Sequence, residues 1–95
     1  MNKPYLTGSL VWLKFNQGRQ PAKVLEWNTS YMRVRKFRVS TGLWTKTIFK
    51  IRNDSNEIIG DYDGPILIER RPGEGLIHWR RRRSLEIRWH KENQK

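Results

Sequence analysis

The residues with the most chemistry to offer are arginines. Four stand in a row, Arg80, Arg81, Arg82 and Arg83, directly after Trp79. Two more, Arg33 and Arg35, alternate with Met32 and Val34 in a stretch that continues through Lys36 to Arg38. A guanidinium donates two parallel hydrogen bonds from a planar fork, which suits phosphate oxygens. Tyr31, Trp44 and Trp79 lie among these cations, and rings beside positive charge can stack bases while the phosphates are held. Catalytic patterns are missing. There is no Cys, so no thiolate nucleophile or thiolate metal site, and His78 and His90 stand far from any patterned Ser or Asp. Asp61-Tyr62-Asp63-Gly64 matches a fragment of a calcium loop without the other ligands or the closing Glu, and reads as a turn. Neither a Gly-rich phosphate loop nor zinc spacing occurs. The expectation is a non-enzymatic protein with no metal and no cofactor.

Charge strengthens the arginine signal. Twenty Lys and Arg against nine Asp and Glu give a net charge of +11, a field that attracts polyanions. Residues 1–53 hold eleven basic groups and Glu26 alone as an acid, whereas residues 54–64 hold four acids and no base. The start, Met1 to Leu6, lacks an apolar leader, and no run approaches the roughly 20 apolar residues of a membrane helix. A soluble, intracellular protein is expected, in cytoplasm or nucleoid or nucleus, with no membrane partner.

These side chains need a scaffold, and the alternation of residue types predicts strands. With 95 residues the chain forms one domain. Ser9–Phe15 places Val11, Leu13 and Phe15 opposite Trp12 and Lys14. Pro21–Trp27 places Lys23, Leu25 and Trp27 opposite Ala22 and Val24, with Pro21 at the strand's first position. Trp12 and Trp27 are read as core. Tyr31–Val39 turns Arg33 and Arg35 away from Met32 and Val34; Phe37 and Val39 then fall on the arginine parity, which predicts a bulge or bend near Lys36. Leu43–Ile51 is β-branched and aromatic, its buried face undecided; one choice sets Lys46 and Lys50 beside the arginines. Glu57–Ile59 is a brief strand. Pro65–Arg70 and Leu76–Arg82 read as a hairpin looped by Arg71-Pro72-Gly73-Glu74-Gly75. Leu85–Trp89 is a last strand, and residues 90–95 a frayed tail. Four arginines on a strand would point to both faces, so part of the run must sit at an edge or strand end. Guarding a sheet edge or signalling localisation are other uses for it.

Three segments carry a resemblance: Gly8-Ser9-Leu10-Val11-Trp12-Leu13-Lys14, Pro21-Ala22-Lys23-Val24-Leu25, and Met32-Arg33-Val34-Arg35-Lys36-Phe37. Together they resemble the opening of a PWWP domain, a relative of Tudor and chromo domains, over residues 8–51. Pro21 to Trp27 is also similar to the basic barrel that ends retroviral integrases. The resemblance implies a small Src-homology-3-like, Tudor/PWWP-type five-stranded barrel over residues 8–53; residues 65–89 have no counterpart in it and are read from their own pattern as an added C-terminal β hairpin and last strand. It also implies DNA binding and an aromatic cage for methyl-lysine, although Gln20 stands where the family usually carries a cage aromatic. The expected partner is DNA or RNA, with DNA first, held through phosphates with weak sequence preference because no base-reading helix is visible. The expected contacts are Arg33, Arg35, Lys36, Arg38, Lys46, Lys50 and Arg80 to Arg83, with Tyr31, Trp44 and Trp79 for stacking. An RNA-binding component of a ribonucleoprotein particle and a module for an acidic protein partner or modified peptide are the alternatives.

Overall fold

Period-two alternation over the first half of the chain produces a sheet. The computed structural model describes residues 4–93 and holds six strands followed by one helix. β1 (Leu10–Phe15), β2 (Gly18–Trp27) and β3 (Tyr31–Arg38) are consecutive antiparallel neighbours. β4 (Leu43–Trp44) and β5 (Phe49–Arg52) both pair with β3, β4 at Phe37–Arg38 and β5 at Tyr31–Val34. β6 (Ile58–Asp61) pairs with β1. Among the described residues β6 meets neither β4 nor β5, so the six-stranded sheet stays open.

One face of the sheet buries Val11, Leu13, Ala22, Val24, Met32, Val34 and Ile51, with Trp27, Phe49 and Ile58 packed at the margin. On β1, β2 and β3 these buried residues are those the alternation sets on one side, except that Phe15 is exposed at the end of β1 and Trp27 has changed side. On β5 the face left undecided is settled by Ile51. Trp27 shares the face of Ala22 and Val24, because the β2–β3 register shifts between Val24 and Glu26 and leaves Leu25 as an extra residue. A bulge of this kind flips the parity of everything beyond it. Trp12 lies on the opposite face, its ring 4.6 Å from that of Tyr62 and its indole Nε1 donating to Asp63 Oδ1 at 2.6 Å.

Pro21 is not first in its strand. It pairs with Trp12 in the middle of β2, fully buried. The β2–β3 register begins only at Ala22↔Lys36, so the missing N–H withholds no bond from that ladder. The Phe37 carbonyl instead accepts from Gln20 Nε2 at 3.3 Å. At Phe37 the strand keeps its parity and no bulge occurs; Phe37 is buried on the arginine side because Trp44 covers it, ring centroids 4.8 Å apart.

The expected hairpin and last strand are corrected by the structure. Residues 62–75 form no strand, and α1 (Leu76–Glu92) replaces both Leu76–Arg82 and Leu85–Trp89 as strands. The physical reason is composition: Leu76–Glu92 contains no Gly or Pro and is rich in Arg, Leu, Glu and Trp, most of them good helix formers. Its less exposed residues, Leu76, Trp79, Arg82, Arg83, Glu86, Ile87 and His90, recur every three or four positions, the spacing of one helix face.

Loops hold α1 in place. Trp79 is completely buried and donates its indole N–H to the Ile68 carbonyl at 2.9 Å. Its ring lies against Gly42, where an added Cβ would come within 2.4 Å of it. The Gly42 carbonyl in turn accepts from the Arg70 amide at 2.8 Å, tying the same loops together. Beside this plug, Arg82 donates to both carboxylate oxygens of Glu74, at 2.8 and 2.7 Å, to Glu86 at 2.7 Å and to the Glu69 carbonyl at 2.6 Å.

Candidate nucleic-acid interface

The register of β2, β3 and β5 decides which cations stand together. Residues directly opposite one another share a face. Lys23 is opposite Arg35, and Arg33 is opposite Lys50. All four therefore project from the face that the apolar core does not use. Arg33 and Arg35, two residues apart on β3, are separated by about 7 Å along the strand. The result is a compact tetrad of positive charge across three strands.

Tyr31 closes one end of the tetrad, with Lys50 Nζ 4.2 Å and Arg33 Cζ 5.7 Å from its ring centroid. Its hydroxyl donates to Glu26 Oε1 at 3.4 Å, and Glu26 is the residue opposite Arg33 across the β2–β3 ladder. Trp44 closes the other end: Lys23 Nζ sits 4.6 Å over its ring, while its indole N–H donates to Glu69 Oε1 at 2.6 Å. None of the four tetrad cations is ion-paired among the described residues; Arg52 pairs with Asp54, and Arg82 with Glu74 and Glu86.

The remaining expected contacts do not all join this strip. Lys36 falls on the other side of β3, its Nζ 4.2 Å over the Phe49 ring. With Arg38, Arg19, Phe15 and Val39 it lines a groove of about 560 Å³ at the end of the sheet. Lys46 is exposed in the loop between β4 and β5. Arg80 and Arg81 are exposed on α1, and Arg83 is half-buried with its guanidinium 5.6 Å from the Trp79 ring.

Two expected contacts are committed to the fold. Arg82 has its fork filled by Glu74, Glu86 and the Glu69 carbonyl, and this pairing holds the Glu74 carboxyl well below the usual carboxylate range. Trp79 has no accessible ring on which a base could stack. Both corrections follow from the helix, which spreads four consecutive arginines at 100° steps and turns Arg82 inward.

Lys23 was missed in the sequence, although its parity against Ala22 and Val24 is plain. Only the pairing register sets it opposite Arg35. The groove residues Phe15 and Arg19 were missed for the same reason. The acidic stretch serves local structure, with Asp54 on Arg52 and Asp63 on Trp12. Among the described residues no group of three or more His, Asp or Glu could hold a metal ion, and no helix is long and apolar enough to cross a membrane. Comparison with known proteins gives no match: no protein family, curated protein or solved structure resembles this chain significantly.

Proposed function

We propose that this protein binds nucleic acid, DNA in the first instance, mainly through phosphates and with weak sequence preference. The observation that carries the reading is the pair of cross-strand cation pairs, Lys23–Arg35 and Arg33–Lys50. Like charges directly opposite one another destabilise a sheet; Glu26 stands across the β2–β3 ladder from Arg33, but no carboxylate among the described residues forms an ion pair with any of the four. A polyanion relieves that repulsion and releases its own counterions as it does so. Arg80 and Arg81 on α1 add a second cationic surface. The expectation of weak preference no longer rests on the lack of a helix; it rests on the strip, whose chemistry addresses phosphates rather than base edges. We read the open sheet, by its resemblance over residues 8–51, as a small barrel of Tudor/PWWP type.

Titration of the protein against duplex DNA, single-stranded DNA, RNA and heparin at two salt concentrations tests the reading. Binding to all four that weakens steeply with salt supports it. No binding to any of them at low salt overturns it. RNA held much more tightly than DNA, with copurifying RNA, turns the reading to a ribonucleoprotein component.

A second reading is favoured by one observation on α1. Ile77, Leu85 and Trp89 are 70%, 64% and 59% exposed, and Arg81 and Arg88 lie among them on the same helix. That surface suits an acidic protein segment with apolar anchors. Binding to such a peptide that persists in moderate salt and ignores added oligonucleotide identifies this use.

A further inference from the structure

We infer that the groove at the end of the sheet receives one unstacked base of a single-stranded polynucleotide whose neighbouring phosphates meet the groove's own cations, Arg19, Lys36 and Arg38. The inference rests on the proposed nucleic-acid reading and deepens it by naming the form of the ligand.

The groove is concave, about 560 Å³ in volume, within the range of small-ligand sites. Its apolar lining includes Phe15 and Val39, which are 51% and 41% exposed, and Phe37 lies buried beneath. Phe15 follows the β1 strand into the two-residue turn Asn16-Gln17, so its ring projects at the sheet's end rather than into the core. Arg19, Lys36 and Arg38 supply positive charge to the same groove, and none of the residues lining it is acidic. A ring face, an apolar floor and nearby cations together match a flat heterocycle carrying phosphate on either side. A plain aliphatic ligand would leave the three cations without a partner, and an alkylammonium would meet Lys36, already over the Phe49 ring.

Groove and strip use opposite sides of the same two strands, because consecutive residues of a strand alternate in face. On β3, Arg35 belongs to the strip and Lys36 to the groove; on β5, Lys50 belongs to the strip and Phe49 to the groove. Lys46 stands in the loop between Thr45 and Phe49, both of which line the groove. A polynucleotide seated in the groove therefore finds its cations in Arg19, Lys36 and Arg38, with Lys46 exposed nearby, and does not depend on the tetrad. A duplex cannot enter without extruding a base, which costs a few kcal/mol of unstacking and unpairing.

The test uses the full chain, a labelled twelve-nucleotide single strand (DNA and RNA versions) and a blunt DNA duplex of equal length at one salt concentration. A further single strand carries one 2-aminopurine as a reporter of stacking. The wild type is expected to prefer either single strand over the duplex. Phe15→Ala should weaken single-strand binding by about tenfold, abolish the 2-aminopurine signal and leave duplex binding within about twofold. Arg38→Ala should weaken single-strand binding more than duplex binding, and thermal melts confirm that both variants fold. Equal binding of strand and duplex, or a Phe15→Ala variant that treats both alike, overturns the groove assignment while the phosphate reading stands. A 2-aminopurine signal that does not change when the strand binds, with an equally charged Glu peptide bound by the wild type and lost in Phe15→Ala, overturns the base assignment and gives the groove to acidic protein instead. Failure of the wild type to bind any polynucleotide removes the underlying reading as well.

Discussion

Arg33 and Lys50 face each other directly across the β3–β5 ladder, on the side of the sheet away from the core, and share the ring of Tyr31. Neither is ion-paired among the described residues. Cross-strand neighbours lie about 5 Å apart, well inside the Debye length at physiological salt, so the two charges repel. The Tyr31 ring, whose face is negative, offsets part of that repulsion. The same arrangement recurs one step along the strand, where Lys23 opposes Arg35 and shares its side of the sheet with Trp44.

The strip therefore trades stability for charge density. Lys50→Thr places a β-branched residue on a strand and removes one of two opposed cations, and should raise the unfolding free energy by about 0.2–1 kcal/mol at low ionic strength. The gain should shrink as salt is added, because the repulsion it relieves is screened. Urea unfolding at two salt concentrations checks both statements. A variant less stable than wild type at low salt contradicts the opposed-charge account.

Gly42 is the seat of Trp79. Its φ of 72° lies in the left-handed region, and a Cβ there would stand 2.4 Å from the Trp79 ring. Gly42→Ala should destabilise the domain by about 1–3 kcal/mol, through strain and overpacking together. Tryptophan fluorescence should show a more solvated indole, and the helical signal in circular dichroism should fall as α1 loosens. A variant with wild-type unfolding and emission would show that the ring does not rest there.

Glu74 gives the docking of α1 a pH dependence. Its carboxyl is depressed from an ordinary value of 4.5, chiefly by hydrogen bonding to Arg82 and then by the Arg71 amide. A depressed carboxylate contributes stability that is fully present above the unfolded value and is lost as pH falls below it towards the folded one. The wild type should thus lose stability progressively below about pH 4.5. Glu74→Gln should be less stable at neutral pH and lose less on acidification, as read from thermal melts between pH 2 and pH 7. Parallel pH profiles for the two proteins would rule out this contribution.

The four arginines of α1 should separate into two groups by experiment. Arg82→Ala removes the partner of a nearly buried carboxylate and should lower the melting temperature clearly while changing the salt dependence of binding little. Arg80→Ala with Arg81→Ala should leave the melt unchanged and reduce the slope of log affinity against log salt by roughly 2 on duplex DNA. The reverse pattern would mean that Arg82 faces the ligand.

Much of the sheet was legible because its alternation is clean. Val11 and Leu13, Ala22 and Val24, and Met32 and Val34 mark the inner face without ambiguity, and so turn Arg33 and Arg35 outward. What the alternation cannot supply is pairing. The extra residue at Leu25, the opposition of Lys23 to Arg35 and the change of partner along β3 from β5 to β4 all depend on register, which is a property of two strands at once. Phe37 misled for a related reason: it is buried by Trp44, outside the core, so its burial did not require a bulge. The helix was hidden by conflicting local signals. Leu85, Ile87 and Trp89 alternate as a strand would, while Gly73 and Gly75 after Pro72 look like a hairpin loop. The usual start signals are also missing, since the N-cap is Gly75 with no side-chain cap and the first turn carries no acid. Only the spacing of Leu76, Trp79, Arg83 and Ile87 betrays the buried face, and the arginine in that series obscures it.

The most direct test is the salt dependence of duplex DNA binding for the wild type and for the variant carrying Lys23→Ala, Arg33→Ala, Arg35→Ala and Lys50→Ala. If the tetrad meets phosphates, the slope of log affinity against log salt should fall by roughly 3 to 4, since each lost phosphate contact removes about 0.9. A folded variant with the wild-type affinity and slope would contradict the account, because the opposed cations would then contribute nothing to binding.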